Sequence, residues 1–266
     1  GIKFAPGGVV SNTGSALLKL GVSTDLVGKI GNDEIGNILL EKLKEIKPAA
    51  ADNMIINNKE NTAYTIVLNP PETDRIFLHS PAANHSFKYD DIPFQKIEGA
   101  SIFHFGYPPL MKQFYRNNGR QMRETFRKAG EMGMITSLDM AVPDPNSRAG
   151  EVDWKKFFAE VLPFVDIFTP NIEEISYMLD MSDEKLLDDN NSINTDLLGE
   201  IGNILIDMGA GIILIKLGNK GLYLQAGSLE ERENLLKLID PDQWEEKKIL
   251  TSCFAVEVVG TTGSGD

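Results

Sequence analysis

The rhythm of the chain after Pro93 constrains its fold more than any other feature. Short apolar runs at 101–105, 134–139, 166–169 and 212–216 read as strands. Between them, apolar residues recur every three or four positions at 111–132, 154–162, 171–179 and 195–208, the spacing of helices with one buried face. That alternation is the signature of βαβ units, because parallel strands need a crossover connection, usually a helix. The expectation is an α/β fold with a doubly wound, mostly parallel sheet and helices on both faces.

Upstream, a helix is predicted at 11–20, ended by Gly21, then a strand at 25–30 and a helix at 34–46 stopped before Pro48. From 53 to 86 the texture changes. Runs at 54–56, 63–68 and 76–79 are separated by Asn-Asn and by Pro-Pro-Glu-Thr-Asp turns. This predicts a small antiparallel β lid, 53–86, inserted into an α/β domain made of 1–52 and 87–266. The polar stretches 182–194 and 228–246 read as surface excursions.

Composition narrows the class of function. The 266 residues carry 26 basic and 39 acidic side chains, a formal net charge of −13. That balance argues against nucleic-acid binding, which needs Lys and Arg to displace phosphate counterions. A phosphorylated ligand would have to be held by local backbone dipoles. One cysteine, Cys253, excludes an intrachain disulfide framework and any multi-cysteine zinc site. Apolar runs are strand-sized, so no membrane span is expected, and the first residues show no signal-peptide pattern. A cytoplasmic location is the expectation.

Five clusters could carry chemistry. In Gly260-Thr261-Thr262-Gly263-Ser264-Gly265-Asp266, the small residues Gly263, Ser264 and Gly265 would let successive N–H groups converge on an anion. Asp266 beside them could accept the proton of an attacking hydroxyl; a plain Gly/Ser turn is the other reading. Gly7 and Gly8 permit close backbone approach to a ligand and Asn12 could bind hydroxyls, or the segment is a turn with a helix cap. Asn171 and Glu174, three apart after a strand, could order a hydrated Mg²⁺, or form a capping box, or both. Lys216, Gly218 and Gly221 follow an apolar strand, where nucleotides sit in open α/β sheets, or they make a hairpin turn. Asp139, at another strand's end, could bind ligand or cap a turn. His104 reads as a core histidine.

Taken together and in this order, these pieces resemble the ribokinase-like (PfkB) family of carbohydrate and nucleoside kinases, from Gly7 to Asp266. Gly7-Gly8-x-x-x-Asn12 with Gly28-x-x-Gly31-x-Asp33-x-x-Gly36 resembles the family's N-terminal signature, and Asn171-x-x-Glu174 its Asn-x-x-Glu motif. Lys216-x-Gly218-x-x-Gly221 resembles the turn before its nucleotide site, and residues 261–266 its C-terminal signature. The resemblance implies an ATP-dependent kinase acting on a hydroxyl of a sugar or sugar-like molecule. It implies Asp266 as general base, with Gly263, Ser264 and Gly265 as the anion hole. Asn171 and Glu174 would hold Mg²⁺ through water, and Lys216, Gly218 and Gly221 would lie near the nucleotide. Gly7, Gly8 and Asn12 would bind the acceptor's hydroxyls; Asp139, with 143–148, is expected to shape the acceptor pocket as a substrate-binding residue.

Three departures accompany the resemblance. Only residues 1–6 precede the glycine pair, Gly260 stands where many members have Asp, and the chain stops at Asp266, so truncation at both ends is expected. Sugar and nucleoside acceptors both fit, and pairing of lids would give a homodimer. A non-catalytic sugar- or nucleotide-binding sensor of the same fold is the competing reading. A dinucleotide-binding dehydrogenase lacks its Gly-x-Gly-x-x-Gly after a first strand.

Overall fold

The computed structural model describes residues 4–68, 76–181, 186 and 193–255. The chain divides into two compact units, 1–97 with 110–113 and 98–109 with 114–266.

In the first unit, α1 (Gly8–Lys19) begins three residues earlier than the spacing suggests, with Gly8 at φ +77°, a conformation that favours glycine. Strand β1 (Gly28–Gly31) leads into α2 (Glu34–Ile46), whose N-terminus is capped by the Asp33 carboxylate accepting the Gly36 N–H at 2.8 Å. Leu26, Leu43, Ala50 and Ala51 form the core, with Val10, Leu18, Leu39 and Leu40 packed against it. Strand β2 (Met54–Asn57) pairs with β1 in parallel, Gly28 opposite Met54. The run at 54–56 is therefore a parallel partner of the preceding strand, and only β3 (Tyr64–Leu68) and β4 (Ile76–Ser80) make an antiparallel ribbon.

Among the described residues, the second unit holds a six-stranded sheet. Its strands are β5 (Ile102–Gly106), β6 (Ile135–Asp139), β7 (Ile167–Phe168), β8 (Ile212–Lys216), β9 (Leu222–Ala226) and β10 (Lys248–Thr251), in the order 10-9-8-7-6-5. β5 to β8 run parallel, while β9 and β10 are antiparallel to their neighbours. The connecting helices α3 (Lys112–Glu131), α4 (Trp154–Val161), α5 (Ile172–Met178) and α6 (Thr195–Asp207) fall where the periodicity placed them.

Register assigns the two faces of this sheet. Phe103, Phe168 and Gln225 lie on one side, and meet Phe126 of α3, Phe158 of α4 and Asn203 of α6 respectively. On the other side Ile135, Ile167, Ile212, Leu214, Leu224 and Ala226 are covered by Leu229, Leu235, Leu236, Ile239 and Trp244. The stretch 228–246, expected as a surface excursion, thus supplies half of a core. Its polar composition hid this because five well-spaced apolar side chains suffice to cover a face when turns and the short α7 (Pro241–Trp244) present them. Arg232 anchors it, its guanidinium pairing with buried Asp166 at 3.5 Å and donating to the carbonyls of Pro163 and Gly209.

Candidate functional site

Carboxyl ends of parallel strands are where open α/β sheets bind ligands, and at that edge the second unit gathers four of the residues singled out above. Asp139 ends β6, Asn171 and Glu174 open α5 directly after β7, and Lys216 ends β8. Asn171 forms an isolated parallel bridge with Lys216, and the Lys216 N–H donates to the Pro170 carbonyl at 2.9 Å. That contact fixes the start of α5 beside the end of β8.

The Lys216 ammonium donates to Asp139 Oδ1 at 2.7 Å. The two side chains belong to strands that are not neighbours. With strands about 4.8 Å apart, Lys216 reaches past β7, using its four-carbon stem. Asp139 is 2% exposed, and its Oδ1 also accepts the Met140 N–H at 2.9 Å. The lysine side chain is 22% exposed. The carboxylate is therefore the more buried partner of the pair.

Asn171 and Glu174 form a complete capping box: Asn171 Oδ1 accepts the Glu174 N–H and Glu174 Oε2 accepts the Asn171 N–H, each at 2.7 Å. Glu174 is buried, and burial pushes its carboxyl up to about 7; the Asn171 N–H and the Lys216 ammonium pull it down, and Asp139 and Glu173 add to the rise. Among the described residues, the Lys216 ammonium is shared by two buried carboxyls, Asp139 and Glu174. Glu174 would carry its full charge only with further positive charge nearby, such as that of a hydrated divalent cation. Among the described residues, no group of three or more His, Cys, Asp or Glu is placed to hold a metal directly.

Lys216, Gly218 and Gly221 make a β8–β9 hairpin, with a 3₁₀ turn over Gly218–Lys220. Gly221 has a structural reason to be glycine: φ is +111°, and a Cβ would come within 1.9 Å of the Thr251 carbonyl oxygen of β10. Gly218, at φ +58°, has open space where a Cβ would point. Gly7 and Gly8 also have nothing within 4 Å of a built Cβ; with Asn12 on α1 they lie in the first unit. Gly263, Ser264, Gly265 and Asp266 lie outside the described residues.

The Gly28-x-x-Gly31-x-Asp33-x-x-Gly36 stretch is a packing device in this unit. A Cβ on Gly31 would sit 2.3 Å from the Glu60 carbonyl oxygen, and one on Gly36 would sit 2.5 Å from that of Gly31. Asp33 accepts from the Thr62 N–H and hydroxyl at 2.7 and 2.6 Å; burial alone would raise its pKa, but these bonds and the Gly36 N–H lower it. Thr62, 2% exposed, was not legible beforehand because its partner lies 29 residues away. His104 is half-buried, and its Nδ1 hydrogen-bonds with the Ser137 hydroxyl at 2.9 Å, as a satisfied histidine should.

The chain matches the pfkB family carbohydrate kinase description along residues 1–266. An uncharacterised sugar kinase of Archaeoglobus fulgidus is 24% identical over 94% of this chain and 81% of its own length. Probable fructokinase-4 of Arabidopsis thaliana is 26% identical over 98% of this chain and 70% of its own. Among solved structures, fructokinase with bound ATP from Xylella fastidiosa superposes with a TM-score of 0.71 at 18% identity, covering 97% of this chain and 70% of that one. Ribokinase of Arabidopsis thaliana, complexed with ribose and ATP, gives 0.66 at 20% identity, covering 97% and 70%. The fold is ribokinase-like, and no helix among the described residues is long and apolar enough to cross a membrane. With its family description matched from end to end, the chain is a carbohydrate kinase belonging to the pfkB family.

Proposed function

We propose that the protein transfers the γ-phosphoryl group of ATP to a hydroxyl of a sugar or sugar-like small molecule. The observation that carries this is the convergence of Asp139, Asn171, Glu174 and Lys216 at the carboxyl edge of the parallel strands. Asp266 takes the proton of the acceptor hydroxyl as its oxygen bonds to the γ-phosphorus. The bond from that phosphorus to the bridging oxygen breaks, and ADP leaves. The backbone N–H groups of Gly263, Ser264 and Gly265 stabilise the charge that develops on the transferred group. Lys216, Gly218 and Gly221 lie along the nucleotide, the open space at Gly218 leaving room for it. Gly7, Gly8 and Asn12 bind acceptor hydroxyls.

Asn171 and Glu174 would hold Mg²⁺ through water, and the bound ion would neutralise charge on the nucleotide's phosphates. The lid in 53–86 excludes water, which otherwise competes for the phosphoryl group. A cytoplasmic location and a homodimer paired through the β3–β4 ribbon belong to the same proposal.

An ADP-release screen over sugars and nucleosides tests the reading with the full chain. Asp266→Asn is expected to lower turnover on the order of 10²- to 10⁴-fold while sparing ligand binding. Wild-type turnover in that variant would remove Asp266 as the base. Tight sugar binding with no ADP release from the unaltered protein would favour a non-catalytic sensor.

A further inference from the structure

We propose that Asp139 acts as a positioning residue, holding the Lys216 ammonium at the phosphoryl-transfer edge, rather than as a ligand of the acceptor. This rests on the kinase reading above and assigns Asp139 a different role within it. Three observations carry the proposal. The Asp139 carboxylate is nearly inaccessible, and its Oδ1 already accepts both the Lys216 ammonium at 2.7 Å and the Met140 N–H at 2.9 Å. A direct bond from an acceptor hydroxyl to that oxygen would compete with both. Lys216 comes from a strand two places away, so the contact spans the sheet edge rather than following from adjacency. Among the charged groups near this ammonium is Glu174, which attracts it from α5, so without Asp139 the flexible lysine would swing toward the cap.

The geometry gives the pair a division of labour. A buried carboxylate fixes one end of a long, mobile side chain, which removes much of the rotamer freedom that a lysine otherwise keeps. The ammonium held in this way is a fixed positive charge, which is worth more to a developing anion than one that must first reorganise. A substrate hydroxyl needs neither charge. The phosphates of the donor need the ammonium held still.

A double-mutant cycle on the full chain tests this, reading kcat, acceptor KM and MgADP affinity by calorimetry. Lys216→Met is expected to lower kcat on the order of a hundredfold. Asp139→Asn should lower it about tenfold, with acceptor KM changed less than about twofold and MgADP binding weakened. The double variant should match Lys216→Met alone. Asp139→Glu, which keeps the charge but displaces the ammonium, should show the same split between kcat and acceptor KM, and serves if Asp139→Asn does not fold. A rise in acceptor KM at constant kcat, or multiplicative effects in the double variant, would overturn the proposal. If the unaltered protein releases no ADP with any sugar, the kinase reading falls instead, and the same cycle in MgADP affinity still decides the role of Asp139.

Discussion

A carboxyl group that is 6% exposed and feels one ammonium and two other carboxylates is costly to ionise. For Glu174 the folded pKa is raised from 4.5 to about 7, so the neutral form suits the fold. Its contribution to stability is fully present below about pH 4.5 and is lost as pH rises through about 7. Glu174→Gln keeps an acceptor for the Asn171 N–H and removes the charge. Its stability relative to the unaltered protein should therefore rise between pH 5 and pH 8, on the order of 1–3 kcal/mol. Thermal melts at several pH values check this; a difference constant with pH would show that the carboxylate ionises freely. At this scale the Asn171–Glu174 pair was legible, because a cap is a local pattern of two residues three apart. The Lys216–Asp139 contact was not. Its partners lie 77 residues apart, and each had a sufficient local explanation.

Elements were legible wherever periodicity was long, as in α2 and α6, and obscure where a break interrupts it. Helix α3 carries non-helical backbone from Arg116 to Gly119, with Asn117 and Asn118 also in the left-handed region. The apolar spacing runs through this break, so the sequence reads as one helix. Gly119 at φ +75° is pressed against α4: a Cβ there would stand 2.7 Å from both Phe157 and Val161. Gly119→Ala should destabilise the fold by roughly 2 kcal/mol or more through strain and overpacking, seen as a lower Tm. An unchanged melting temperature would mean that the kink tolerates a side chain. The cover at 228–246 shows the opposite failure, where sparse apolar residues with no regular period still close a core.

At the scale of the molecule, the fold class followed from the strand–helix alternation. The sheet order did not, because spacing alone does not say which strands neighbour. The β3–β4 ribbon adds a feature of its own. Register puts Tyr64, Ile66, Leu68, Ile76 and Leu78 on one side, each at least 42% exposed. Apolar side chains gathered on one face are a hallmark of an association surface. The proposed homodimer predicts that Ile66→Asp with Leu78→Asp converts it to monomer without lowering the Tm. Sedimentation velocity distinguishes the two states, and an unaltered protein that is monomeric at micromolar concentration would remove the ribbon as its interface.

One consequence follows from the brevity of β7, which contributes only Ile167 and Phe168 to the middle of a six-stranded sheet. Continuing the register, Thr169 is the residue that stands between Asp139 and the strand carrying Lys216. Its hydroxyl donates to the Leu138 carbonyl at 3.2 Å. Thr169 thus shares its level and its side of the sheet with Asp139. For protein engineers, position 169 is therefore the neighbour through which the surroundings of this pair can be changed without altering either charged residue.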